Sequence, residues 1–190
     1  MPDPQKEPNG TPSPRAALGL CHRCIAGMLG RLEALAAELA VPAPGAPDAG
    51  LVDRARTLVA EIDEAFRVHM DDEEADIFPA LLAACDSPAR RAQAFELVSQ
   101  LLIEHRELAE LWHALRIPLL ALGGGVAVAF PGETAADFLG RLRAHLEREE
   151  GELADLMGVI DDSRSQTIAV SIAHRHEEAC PRVGRCPHKP

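Results

Sequence analysis

No tyrosine occurs among the 190 residues, so a tyrosyl proton source or electron carrier is excluded from any chemistry this chain performs. No apolar run is long enough to cross a bilayer. The opening stretch "MPDPQKEPNGTPSPR" lacks the apolar core of a secretory signal. A soluble cytoplasmic protein is the expectation. Basic residues are in the minority, with 19 Lys and Arg against 30 Asp and Glu and a formal net charge of -11. A nucleic-acid partner would want a basic face, and an anionic membrane surface would repel an acidic one. Neither is expected as a partner. The five cysteines are odd in number and scattered, which is not the pattern of a secreted disulfide framework. No segment alternates convincingly as a strand would. The nearest, "VAVAF", reads as part of a loop.

Hydrophobic residues make up 47% of the chain, enough for one globular domain with a substantial core. The apolar spacing gives four long amphipathic helices, over Arg15–Leu39, Leu51–Ala84, Ala89–Leu115 and Glu133–Val159. Pro79 should kink the last turns of the second. Four such helices joined by moderate loops pack most naturally as an all-α, up-down four-helix bundle. The expected organisation is a disordered leader over 1–14, the bundle over 15–160, and a C-terminal stretch over 161–190. In that last stretch a weaker fifth helix is expected near Ser163–His176, followed by an irregular tail with Cys and His.

The core stripes carry residues that do not belong in an apolar core. In the second helix the stripe runs Leu58, Ile62, Phe66, His69, Glu73, Ile77, Leu81. In the fourth it runs Phe138, Leu142, His145, Glu149, Leu153, Met157. The first and third helices each place one histidine, His22 and His105, on the same kind of stripe. A buried carboxylate without a partner is expensive, so the pattern requires partners, either other side chains or metal ions. Residues four apart sit ~40° around a helix and ~6 Å along it, so each His-x-x-x-Glu can converge on an ion in the bundle core. A lone core histidine is ordinarily a packing residue. Four stripes with one histidine each, two of them with Glu at one offset, point instead to metal binding. Two ions could each take two imidazoles and share two carboxylates, a donor set suited to iron, zinc or manganese. The Glu-x-x-His pattern of ferritin-like bundles is absent, because Phe66, Leu102 and Leu142 stand three before His69, His105 and His145. No H-E-x-x-H is present either.

The residues "HMDDEEADIFPAL", "IEHRELAEL" and "HLEREEGEL", together with His22, resemble the hemerythrin-like, or HHE cation-binding, domain family over about Arg15 to Val159. The resemblance implies a non-haem, oxo-bridged centre of two iron ions. It would place His22 and His69 on one iron and His105 and His145 on the other, with Glu73 and Glu149 bridging. It also implies dioxygen, nitric oxide or peroxide as small-molecule partners. Invertebrate oxygen carriers of this family have a further histidine four residues after the helix-three histidine, where this chain has Ala109. Its four His and two Glu look more like the bacterial iron-centre repair proteins and related stress-response members. Those proteins usually carry a separate N-terminal domain with a cysteine pair, for which these 190 residues leave no room.

Other features have a plainer reading beside a functional one. Cys21 and Cys24 in "CHRC" are a turn apart and flank His22; they read as packing residues before a redox pair. His174, His176, Cys180, Cys186 and His188 could take zinc, but their spacing fits no strong template. Asp71, Asp72 and Glu74 read as a solvated face, Glu104 and Glu110 as exposed. His113 is too far along its helix to join the same site, and Cys85 is a packing residue. Three functions remain open on these grounds. They are a di-iron protein that binds small molecules or stores iron, an enzyme reducing peroxide or nitric oxide, and a regulatory bundle holding zinc or nothing.

Overall fold

The computed structural model describes residues 13–41 and 45–183, apart from the side chains of 180–183. The expected leader therefore lies almost wholly outside the described residues. Every described element is helical. Helix α1 spans Pro14–Leu39, α2 Ala49–Asp71, α3 Phe78–Ala84, α4 Pro88–Gly123, α5 Gly132–Arg148, α6 Ala154–Leu156 and α7 Asp162–Val183. Two π-helical segments, Asp72–Ile77 and Glu149–Leu153, join α2 to α3 and α5 to α6, and a 3-10 turn at Met157–Val159 follows α6.

Local chemistry sets the starts. Ser13, Asp48, Ser87 and Asp161 each accept a hydrogen bond from the backbone N–H three residues on, satisfying donors a first turn leaves over. Pro14 and Pro88 occupy the first turn, where a missing N–H costs nothing. At the end of α4, Gly123 lies so close to α2 that a Cβ would meet the Arg56 backbone at 3.3 Å. Gly125 turns the chain with φ near 81°.

Helices α1, α2, α4 and α5 close a four-helix ring in which each packs on two neighbours, α1 on α2 and α5, and α4 on α2 and α5. Its core divides into two apolar layers. One holds Ile25, Phe66, Leu108 and Phe138. The other holds Leu18, Ile77, Leu101 and Leu153. Between them the apolar sequence breaks on every helix of the ring.

Three expectations are corrected. The second helix is not one α-helix with a kink at Pro79; the backbone leaves α geometry earlier, at Asp72, and resumes it at Phe78. Proline alone is not the cause, since no proline stands in the second π segment. The third helix does not end at Leu115 but runs on to Gly123 with Pro118 inside it. Leu119 and Leu122 beyond that proline are fully buried, and burying two leucines at ~1.5–3 kcal/mol each offsets the ~3 kcal/mol an internal proline costs. Pro118→Ala restores the missing N–H and should stabilise the chain by about 1–2 kcal/mol, the loss of proline's stiffening of the unfolded chain included. A higher urea midpoint checks this. Finally, the fifth helix reaches Val183 and docks on α1, α2 and the first π segment, burying Ile168, Ala169 and Ile172. "VAVAF" is the irregular connection between α4 and α5, as read from the sequence.

Candidate metal centre

All six residues singled out by the stripes lie in the gap between the two apolar layers, and all are buried. His22 comes from α1, His69 from the end of α2, His105 from α4 and His145 from α5; Glu73 and Glu149 stand in the two π segments. The two glutamates share a backbone device. The Glu73 carbonyl accepts from Phe78 N–H and the Glu149 carbonyl from Ala154 N–H, each five residues on. Wider turns of this kind recur at functional sites.

The histidines form two close pairs. Ring centroids are 5.3 Å apart for His22 and His69 and 4.9 Å for His105 and His145. Glu149 lies between the pairs and divides its oxygens among them. Oε2 is 3.1 Å from His22 Nε2 and 3.5 Å from His69 Nε2. Oε1 is 2.6 Å from His145 Nε2. Glu73 Oε2 is 3.2 Å from His105 Nε2. One donor atom from each of His69, Glu73, His105, His145 and Glu149 lies within 4.8 Å of all the others.

These short approaches are not hydrogen bonds. The Nε2 atoms of all four histidines and both oxygens of both glutamates are buried without a hydrogen-bond partner. They aim at common space rather than at one another. Two donors each ~2.1 Å from one ion and at right angles stand ~3 Å apart, which is the spacing seen here. Imidazole and carboxylate donors, orphaned and convergent, fit metal ions.

Acidic residues hold three of the rings from behind. Glu150 Oε1 accepts from His22 Nδ1 at 3.1 Å, Glu74 Oε1 from His105 Nδ1 at 2.7 Å and Glu104 Oε2 from His145 Nδ1 at 2.9 Å. In a neutral ring a proton kept on Nδ1 leaves the Nε2 lone pair pointing inward, the form in which imidazole binds a metal ion. Phe78 stacks on His105 with ring centroids 6.0 Å apart. His69 has no such acid, and its Nδ1 is also unpartnered.

Charge in this layer follows burial. Desolvation, reinforced by the neighbouring histidines, lowers His69 to about 3 against the pull of Glu149. Burial opposes charge on His105 too, but Glu149, Glu73 and Glu74 overcome it and raise the ring to about 10. Burial, then Glu149, pushes the Glu73 carboxyl well above the usual range. Burial would do the same to Glu149, but His69 and the other histidines bring it well below.

The outer acids correct the sequence reading. Glu104, expected exposed, is half-buried; besides His145 it accepts from Gln100 at 3.1 Å and pairs with Arg148 at 3.2 Å. Glu74, assigned to a solvated face, reaches His105, while Glu150 was not singled out at all. Each of the three is the chain neighbour of a core donor on its own helix yet serves a histidine of another helix. An acid beside each donor was the available signal.

Asp72 is the larger correction. It was assigned to the solvated face but is 1% exposed. One of its oxygens bonds to Arg175, and the other lies 2.6 Å from His176 Nε2, both on α7. Asp71 is half-exposed and pairs with Arg67. Glu110 and His113 are exposed. Cys21 is buried, and burial with Asp72 beside it pushes its thiol well above the usual range. Cys21, Cys24 and Cys85 all pack within or against the apolar layers and form no disulfide. Of the C-terminal set, His174 is exposed near Glu178 while His176 turns inward to Asp72, so the two do not converge. Cys186, His188 and the Cys180 side chain lie outside the described residues.

Among the described residues no helix is long and apolar enough to cross a membrane. Residues 13–157 match the family model described as the hemerythrin HHE cation binding domain, well over half of the chain. A comparison with curated proteins gives no match. With its four-helix ring and its inward histidines and glutamates, this chain belongs to the hemerythrin HHE cation-binding family.

Proposed function

We propose that the chain holds two iron ions in its polar layer and engages dioxygen, nitric oxide or peroxide there, in the cytoplasm. The observation that carries this reading is the division of the Glu149 carboxylate between two histidine pairs, with no hydrogen bond to either. His22 and His69 would hold one ion and His105 and His145 the other, with Glu149 and Glu73 shared. Iron in an imidazole and carboxylate set supplies redox-active positions open to small ligands. The chain's own contribution is to keep protons on Nδ1 through Glu150, Glu74 and Glu104, and to exclude bulk water with apolar layers on both sides.

A turnover enzyme finds less support. It needs an internal electron route, for which Cys21 and Cys24 are the obvious candidates in the sequence. Cys21 is a buried thiol whose ionisation is disfavoured.

The test is elemental analysis of untagged protein grown with ample iron, followed by exposure of the reduced protein to each small molecule. About two irons per chain and a visible spectrum that responds to at least one of them are expected. Zinc, or no metal, would sink the di-iron reading and leave a regulatory bundle. A silent spectrum on a two-iron protein would leave iron storage.

A further inference from the structure

Helix α4 is apolar on two sides. Its inner side packs Leu101, Leu108, Leu115 and Leu119 into the core. Its outer side exposes Phe95 (65%), Ile103 (53%), Ile117 (57%) and Leu120 (45%), the largest group of exposed bulky apolar residues among those described. The other ring helices carry no such stripe, so the outer face of α4 calls for a specific explanation.

Its spacing gives one. Ile103, Arg106, Glu110, His113, Ile117 and Leu120 follow one another at intervals alternating between three and four. That spacing keeps all six on one face of the helix, apolar toward its ends and polar at its middle, a layout that a seam between two helices can use. The stripe from Phe95 to Leu120 is ~37 Å long. At its middle stand Arg106 and Glu110, both exposed and neither with an ion-pair partner among the described residues, although most arginines along the ring helices are paired.

We propose that this face binds a second copy of the same chain, with the two α4 helices antiparallel about a two-fold axis near Leu108. About that axis Arg106 of each copy faces Glu110 of the other. Ile103 lies opposite His113, Leu120 comes beside Phe95, and Ile117 lies opposite Ser99, about one turn from Phe95. The sequence is self-complementary in this direction and register. A parallel pairing in register would set Arg106 against Arg106 and Glu110 against Glu110, which repels. The apolar positions supply the attraction, while the exposed charges fix register and reject alternatives more than they add affinity. A C2 pair of this kind uses one patch twice and closes. The polar layer faces the opposite side of α4, so the pairing is independent of what the site binds.

Analytical ultracentrifugation of the full chain at about 100 µM, in the range where a modest interface is populated, tests this. The wild type should sediment at twice the chain mass of 20.4 kDa. Arg106→Glu and Glu110→Arg should each sediment at the single-chain mass, because each sets like charges across the axis. An equimolar mixture of the two variants should return to twice that mass with one copy of each, since every facing pair is then opposite in charge. Both positions are solvent-exposed, and unchanged far-UV circular dichroism confirms folding. A wild type that stays at the single-chain mass overturns the proposal and leaves the stripe to a partner of another kind. A dimer that survives both reversals, or a mixture that fails to re-form it, overturns the antiparallel α4 seam.

Discussion

Glu149→Ala is expected to lower bound iron from about two ions per chain to well under one. Among the described residues no other side chain in the polar layer places one oxygen against each histidine pair. Removing a histidine would subtract a donor from one pair, whereas removing Glu149 subtracts from both. The substitution also takes away the carboxylate that His69, His105, His145 and His22 keep ionised, leaving four imidazoles with Glu73 alone. The contrast is Glu150→Gln, one residue along. Glu150 touches only the Nδ1 side of His22, so its loss should weaken iron about 10- to 100-fold while leaving the stoichiometry intact. Elemental analysis separates the two, and competition with a chelator of known affinity gives the second. A Glu149→Ala protein that keeps its iron would remove the shared-carboxylate reading. Equal losses in both variants would mean that the layer responds to any change of charge rather than to donor position.

The buried polar layer was legible in the sequence because burial writes itself as periodicity. His22, His69, His105 and His145 each stand where the stripe demands an apolar residue, and Glu73 and Glu149 repeat one offset. Their outer partners were not legible in the same way. Glu74, Glu104 and Glu150 sit one place off the stripe, where an acid ordinarily faces water, and the histidine each serves comes from another helix. The two π segments also escaped, because the four-residue spacings His69 to Glu73 and His145 to Glu149 hardly register a widening that takes effect beyond the glutamate. Pro118 shows the opposite failure, in which a strong local signal yields to the burial of Leu119 and Leu122. The full length of α7 was hidden by its weak amphipathic pattern, and with it went the environment of Asp72. The acid and its partners Arg175 and His176 lie about a hundred positions apart, beyond any periodicity.

That cluster carries the second large effect. Arg175→Ala should destabilise the chain by about 3–4 kcal/mol, because it takes the guanidinium charge from a buried carboxylate and leaves it His176. Arg175 bonds both Asp72 and Asp76, and Ser171 Oγ donates to Asp76 at 2.9 Å, so one guanidinium ties α7 to two acids of the first π segment. Without it, among the described residues Asp72 keeps only His176, and Asp76 only the Ser171 hydroxyl. His176→Gln should cost less, about 1 kcal/mol, because the arginine and its charge remain. Arg175→Ala combined with Asp72→Asn should recover part of the loss, since the second change removes the buried charge that the first leaves unpaired. Urea unfolding gives the energies, and hydrogen exchange over 162–179 shows whether α7 leaves the bundle before the ring unfolds. An Arg175→Ala protein with an unchanged midpoint and protected α7 amides would show that Ile168, Ala169 and Ile172 hold the helix unaided. The consequence reaches the polar layer through one peptide bond. Asp72 faces α7 while Glu73 faces the histidines, so the helix beyond residue 157, where the family match ends, anchors the backbone that presents a core carboxylate.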